Sequence, residues 1–327
     1  MMPVYHCAVV IPTKNAMPGF ARVLEMVRRQ RTPWPYEIIV IDSGSHDGTA
    51  EYAGQFPDVR LISIDPKTFG HGRTRNQAIA ASDAPFVALI THDAEPLDES
   101  WLAKLVMAVE QDDRVAGAFG RHVAYSNASP FTKRDLDRHF EGFLTHPPVV
   151  DRDVNREKYA ADEGWRQFLH FYSDNNSCLR RSVWEKIPYP DVEFAEDQLW
   201  AKLIIEAGYA KAYAHEATVY HSHNYRIFEC LQRSFDESRN FRKYFSYQLA
   251  PNLIRAAKSA AGLSIRDIKY AMENRKISNI QLVRQIIVNC MLALGHYIGT
   301  RYSSLPVFVQ KKLSRDERLQ TIASVGR

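Results

Sequence analysis

The chain has 327 residues, 45% apolar and 24% charged, with a net charge of +4. That length exceeds the usual single domain, and the composition excludes a disordered or fibrous chain. Four scattered cysteines, Cys7, Cys178, Cys230 and Cys290, contain no CxxC pair. They exclude a zinc-finger spacing and suit a reducing compartment. The charge is unevenly spread: residues 251–327 hold 13 Lys/Arg against 4 Asp/Glu, and the first 250 hold 29 against 34. A basic tail on a mildly acidic body suggests an anionic surface, membrane or nucleic acid, as partner of the tail, or simply a solvated helical face; of these partners a membrane surface is expected and no nucleic acid.

In chain order, Cys7–Pro12, Glu37–Asp42, Val59–Ile64 and Pro85–Thr91 are short, β-branched and apolar. They alternate with helical patterns over Phe20–Arg31, Thr49–Gln55, Arg73–Ala81 and Ser100–Glu110, with Asp47 or Thr49 and Asp98 or Ser100 as caps. Buried runs separated by helices predict parallel strands in βαβ units, covered on both faces. Val115–Gly120 adds a strand. Residues 121–170 carry little pattern and read as an excursion over a site. Pattern resumes with "NNSCLRRSVWEKI", the helix "FAEDQLWAKLIIEAG" capped by Gly208, and strands in "KAYAHEATVYHSHNY". Helices are expected over Ile227–Tyr247, Asn252–Ala261, Ile265–Asn274 and Ile280–Tyr302. No leader peptide is read at the N-terminus. No run reaches the ~20 apolar residues of a spanning helix, because Asn289 and His296 interrupt Gln285–Gly299.

Polar residues gather where these strands end, which is where open α/β sheets bind ligands. The first strand ends in Pro12-Thr13-Lys14-Asn15, the second in "DSGSHDGT" and the fourth in "THDAEP". Neither GxGxxG nor GxxxxGK[ST] is present, so no glycine loop cradles phosphate. A nucleotide would then need carboxylates and a hard cation, Mg²⁺ or Mn²⁺.

The segments "VVIPTKN", "IIVIDSGSHDGT", "HGRTRNQAI", "LITHDAEPLDESWL" and "FAEDQLWAKLIIEAGYA", in this order, resemble the inverting family-2 glycosyltransferases. Their fold is GT-A, a Rossmann-like α/β arrangement whose mostly parallel central sheet is covered by helices. "FGHGRTRN", "THDAEP", "VYHSHNY" and "LGHYIGTRYSSLP" are similar to the rhamnosyltransferase branch. The resemblance implies a catalytic domain over residues 1–225 and a helical region over 226–327. It implies transfer of a sugar, L-rhamnose from dTDP-L-rhamnose, to a hydroxyl of a cell-surface or lipid-linked glycan. The location it implies is cytoplasmic, at the inner face of the membrane. Processive relatives carry QxxRW and spanning helices, and neither is read here.

The resemblance also assigns roles. Asp93 aligns with the metal-binding aspartate and Thr91 stands where the pattern's first aspartate would be; Glu95 is the metal ligand if the motif is read as "DAE". One of His221 and His223 completes the metal shell. Pro12, Thr13, Asp42 and Ser43 line the nucleoside. Arg75 and Asn76 match an element whose arginine faces the nucleotide, Arg73 or His71 approaches the donor, and Thr91 and His92 are counted with the donor-side residues. Asp197 is the general base and Glu196 orients the acceptor. Asp174 and Asn176 contact sugars, while Trp165 and Trp200 either stack on sugar rings or pack in the core. Two other classes compete. A sugar-phosphate nucleotidyltransferase needs a glycine-rich basic loop after the first strand, where "PTKNAMPG" stands. A non-catalytic binder has no use for Asp93 and Asp197 together. A UDP- or GDP-sugar donor is a third variant.

Overall fold

The computed structural model describes residues 4–192 and 194–315. Among these, the chain divides into two compact units: residues up to Ala128 with Thr132–Ser222, and Ser129–Phe131 with the residues from His223 on.

The first unit opens with β1 (Cys7–Thr13), α1 (Gly19–Arg28), β2 (Tyr36–Asp42), α2 (Thr49–Ala53), β3 (Val59–Ser63), α3 (His71–Ala80) and β4 (Phe86–Ile90). These four strands pair in parallel, β3-β2-β1-β4. Alternation divides their side chains between two cores. Val9, Ile11, Val40 and Ala88 face one, closed by α1 through Phe20, Val23, Leu24 and Val27 at helical spacing. Ala8, Val10, Ile39 and Leu89 face the other. Asp47 supports the start of α2 by accepting the Thr49 N–H at 3.1 Å, and Asp98 does the same for Ser100 at 2.8 Å before α4.

Beyond β4 the sheet becomes mixed. β5 (Glu95–Pro96), α4 (Trp101–Glu110) and β6 (Val115–Val123) are followed by α5 (Pro130–Gly142), β7 (Val149–Val150), α6 (Arg156–Ala161), α7 (Glu163–His170), β8 (Asn176–Arg180), α8 (Arg181–Trp184), α9 (Glu196–Glu206) and β9 (Ala210–Tyr220). The order continues β4-β8-β6-β9-β5, with β8 antiparallel to both β4 and β6 and β9 parallel to β6. The expected excursion over 121–170 is ordered. Asp151, Asn155 and Asp162 accept main-chain N–H groups at its helix starts. Phe140, Phe143, Trp165 and Phe168 pack its aromatic rings, and β7 joins β9.

The second unit holds α10 (Ile227–Asn240), α11 (Leu253–Glu273), α12 (Asn279–Thr300) and α13 (Val307–Leu313). α11 is one helix where two are expected, because Gly262 alone costs only about 1 kcal/mol in a helix interior. Gly295 and Gly299 of α12 lie so close to Leu231, Ser234 and Phe235 of α10 that a Cβ at either would clash. The buried Asp267 carboxylate accepts the Asn289 side-chain amide at 2.8 Å, joining α11 to α12. α12 is long and apolar enough, by length and composition, to cross a bilayer, with a mean hydropathy of 1.3 over its best stretch. The sequence reading, stopped by Asn289 and His296, does not count it.

Candidate active site

Strand register builds the site. Antiparallel pairing of Ile90 with Asn176 brings the residues after β4 beside those before β8. Thr91 Oγ1 lies 3.5 Å from Asn175 Oδ1, and the Asn175 amide nitrogen lies 3.5 Å from His221 Nδ1. Pairing of Glu95 with Tyr220 brings His221 alongside the "THDAEP" turn. There His221 Nε2 is 3.7 Å from Asp93 Oδ1. The Tyr125 hydroxyl donates to the Asp93 carbonyl at 3.2 Å, and His92 Nδ1 lies 3.3 Å from the Pro12 carbonyl. A partly exposed carboxylate beside a partly exposed imidazole is a donor set that fits a divalent transition ion. Behind His221 stands His122, its ring 5.2 Å away, which burial and then His221 keep neutral. Glu95 takes no part in this pair; it binds Arg22 of α1 at 3.1 Å. His223 opens the second unit, its ring stacked 5.2 Å from Tyr225.

One residue from Asn175 the environment changes. The Asp174 main-chain N–H donates to Asp197 Oδ2 at 3.2 Å, and the Gln198 N–H to Asp197 Oδ1 at 2.7 Å. Ala195, before them, has a left-handed backbone with φ 59°, a conformation that strains any residue with a Cβ and turns the chain sharply into α9. The Asp174 carboxylate, 1% exposed, accepts from Ser177 Oγ at 2.7 Å and Tyr189 OH at 2.8 Å. Arg75 reaches in from α3, donating to Glu196 Oε1 at 2.7 Å and placing Nε 3.2 Å from Asp174 Oδ2. Burial works against the Arg75 charge, but the surrounding carboxylates outweigh it and hold the guanidinium above its usual range. Burial, reinforced by Glu196, pushes Asp174 up to about 6 against the pull of Arg75. Burial, then Glu196 and Asp174, raise Asp197 well above the ordinary carboxylate range. A partly exposed carboxylate with raised proton affinity is what a general base at neutral pH requires.

The nucleoside-side residues form a tight loop. Asp42, 2% exposed, accepts from Thr13 Oγ1 at 2.9 Å, the Gly44 N–H at 2.9 Å, the Ser45 N–H at 2.8 Å and Ser45 Oγ at 2.5 Å. Ser43 donates through N–H and hydroxyl to the Thr13 carbonyl, each at 3.1 Å. Pro12 pairs with Ile41 across β1 and β2. Lys14, unassigned from sequence, clamps the loop by donating to the Ser43 and Gly44 carbonyls at 2.8 and 2.6 Å. Asn76 ties α3 to Tyr189 and Trp184, while His71 is exposed with its ring against Phe69.

Several residues named from sequence are turned inward. Asn176 is fully buried, accepting from Trp101 and donating to the Arg121 and Ala217 carbonyls. Trp200 is fully buried against Tyr172 and Tyr189, and Trp165 packs on Phe168. Arg75 faces carboxylates, not open space, and Glu196 is occupied by Arg75. Asn175, unassigned from sequence, lies in the turn before β8 between the two residues of "SDNNS" that the sequence reading names.

Comparison with known proteins gives a consistent result. Residues 8–187 match the family described as Glycosyl transferase family 2. The O-antigen chain rhamnosyltransferase RfbN of Salmonella typhimurium is 32% identical over 303 residues, covering 91% of this chain and 90% of its own. WbaN of Salmonella anatum, also an O-antigen chain rhamnosyltransferase, is 30% identical over 304 residues with the same coverage. Among solved structures, the mannosyltransferase PcManGT from Pyrobaculum calidifontis, in complex with GDP-Man and Mn²⁺, superposes with a TM-score of 0.60 at 16% identity, covering 93% of this chain and 89% of that one. S. aureus TarS 1–349 in complex with UDP gives 0.52 at 14% identity, covering 89% and 90%. The fold is GT-A-like, and the chain belongs to glycosyl transferase family 2 as a glycosyltransferase.

Proposed function

We propose that the protein is a non-processive, inverting rhamnosyltransferase that moves L-rhamnose from dTDP-L-rhamnose to a hydroxyl of a cell-surface or lipid-linked glycan. The rhamnosyl group is supported by the two relatives named as rhamnosyltransferases, and dTDP as its carrier by the sequence resemblance alone. The observation that carries the chemistry is the Asp174-Asn175 dipeptide. One residue holds Asp197, and the next holds Thr91 and His221. A cation-type pair and a base thereby flank one short stretch of chain.

Asp93 and His221 would hold a divalent ion, Mn²⁺ suiting the imidazole better than Mg²⁺. When bound, the ion neutralises charge on the departing diphosphate. Asp197 Oδ takes the proton of the incoming hydroxyl as its oxygen attacks the anomeric carbon, and the bond to the diphosphate breaks on the opposite face. Attack in line inverts the centre. Thr91 and Asn175, between the two, are placed to contact the sugar. The test is thermal stabilisation with Mn²⁺ across nucleotide sugars. Stabilisation by dTDP-L-rhamnose and not by UDP- or GDP-sugars is the expected result; the reverse order removes the donor assignment.

The protein works, on this reading, at the cytoplasmic face of a membrane. α11 exposes Ile254, Ile265, Ile268 and Met272 along one stripe, and α12 exposes Ile280, Val283, Ile287 and Leu294. Lys258, Lys269, Lys276 and Arg284 are exposed among them against one exposed acid, Glu273, and Asp267 is buried. Two copies of so basic a face repel, and an anionic lipid surface attracts it. The chain should float with phosphatidylglycerol vesicles and not with phosphatidylcholine ones, and I268E/I287E should abolish flotation. Equal recovery with both lipids, or no effect of the substitutions, refutes the attachment.

A further inference from the structure

Three carboxylates, Asp174, Glu196 and Asp197, share one guanidinium, Arg75, in the interior of the first unit. Their surroundings differ. Glu196 is 6% exposed and directly bonded to Arg75. Asp174 is 1% exposed and held by a hydroxyl from Ser177, a phenol from Tyr189 and the Arg75 Nε. Asp197 is the one of the three that is partly open, and the protein groups that bond it are main-chain N–H donors. No side-chain cation is assigned to it directly. The arrangement anchors two negative charges beside the third, whose direct bonds are to main-chain amides while Arg75 acts on it from further off.

Like charges held in a buried space raise the proton affinity of the one least stabilised. We propose that Asp174 is a positioning residue for proton abstraction: its main-chain N–H fixes Asp197, and its carboxylate, pinned by Arg75, Ser177 and Tyr189, makes Asp197 a stronger base by repulsion. The inference deepens the assignment of Asp197 as base and rests on it. The groups facing the pair are Arg75 from α3, Tyr172 before β8, Tyr189 from the turn ahead of α9, and Glu196 on α9 itself. Tyr172 is engaged with the Ala118 and Cys178 carbonyls and stays protonated. The charge that distinguishes Asp197 from an ordinary aspartate is therefore that of Asp174 and Glu196, offset by Arg75.

The consequence is a pH dependence that a structural role would not produce. Transfer needs Asp197 ionised, so activity falls as pH drops through the proton affinity of the pair. Asp174→Asn keeps the shape and the main-chain N–H but removes the repelling charge. Release of nucleoside diphosphate from dTDP-L-rhamnose, with Mn²⁺ present and water as acceptor, reports the step. The acidic limb of kcat/KM for Asp174→Asn is expected about one pH unit below that of the unmodified protein. Its plateau should be lower, because a weaker base abstracts less effectively, and the donor KM should stay within about twofold. Tyr189→Phe, which keeps the buried ring, weakens the hold on the Asp174 charge and should move the limb the same way by less. Ser177→Ala should behave like Tyr189→Phe. A limb unmoved in all three variants, or a rate depressed equally at every pH, overturns the proposal. The base assignment fails separately: it falls when Asp197→Asn retains turnover. An inactive Asp197→Asn with an unmoved limb in Asp174→Asn sinks the positioning role alone.

Discussion

Two aspartates end strands or begin helices on the same rim of the sheet, and their environments are opposite. Asp42, at the end of β2, is met by four neutral donors from Thr13, Gly44 and Ser45. Its lone pairs are spent on the loop, and its carboxylate shapes the backbone of the nucleoside side. Asp197, at the start of α9, is met by two amides and crowded by two further carboxylates. Its charge is destabilised and its proton affinity is high. The residue type is the same, and the difference between scaffold and base lies in what surrounds the carboxylate.

Replacing each aspartate by asparagine should break the comparison in different places. The largest effect is expected at Asp197. Loss of a positioned base costs about 10²–10⁴-fold in transfer, while the fold should be kept or slightly stabilised, because a carboxylate repelled by its neighbours has been removed. Turnover assays with thermal melts check both halves. At Asp42 the expectation is reversed and smaller. An asparagine cannot accept from all four donors, and each buried donor left unpaired costs about 1–3 kcal/mol. Asp42→Asn should therefore lower the unfolding midpoint and weaken donor binding through loop disorder, with a modest change in kcat once donor is saturating. A large kcat loss at saturating donor and an unchanged melt would place Asp42 in the chemistry and erase the distinction.

The parallel half of the sheet was legible because β1, β2 and β4 are almost wholly apolar runs, with helices between the strands, and β3 breaks its run only at Arg60 and Ser63. The site was legible in part. Asp93, His221 and Asp197 stand in segments whose spacing pointed to them, and the structure brings the first two within 3.7 Å. Arg75 was read as facing the donor because nothing local says otherwise; its partner Glu196 lies 121 positions away. Asp174 and Asn176 were singled out while Asn175 was passed over. Asp174 and Asn175 form a turn, with the Asn176 N–H donating to the Ser173 carbonyl at 3.1 Å, and the strand that follows is buried on both faces, so no two-residue alternation marks Asn175 as the side chain left partly exposed. In 121–170, α6 and α7 are short helices that rest on the Asn155 and Asp162 caps and on aromatic contacts, which leave little periodic signal, whereas the longer α5 is a helix that the sequence reading does not count.

The most direct test of the separation between donor site and base is the affinity of Asp197→Asn for dTDP-L-rhamnose with Mn²⁺, measured by titration calorimetry alongside single-turnover transfer. The nucleoside loop and the Asp93–His221 pair do not pass through Asp197, so binding should stay within a few-fold of the unmodified protein while transfer disappears. Binding lost together with transfer, or transfer retained, would contradict the account.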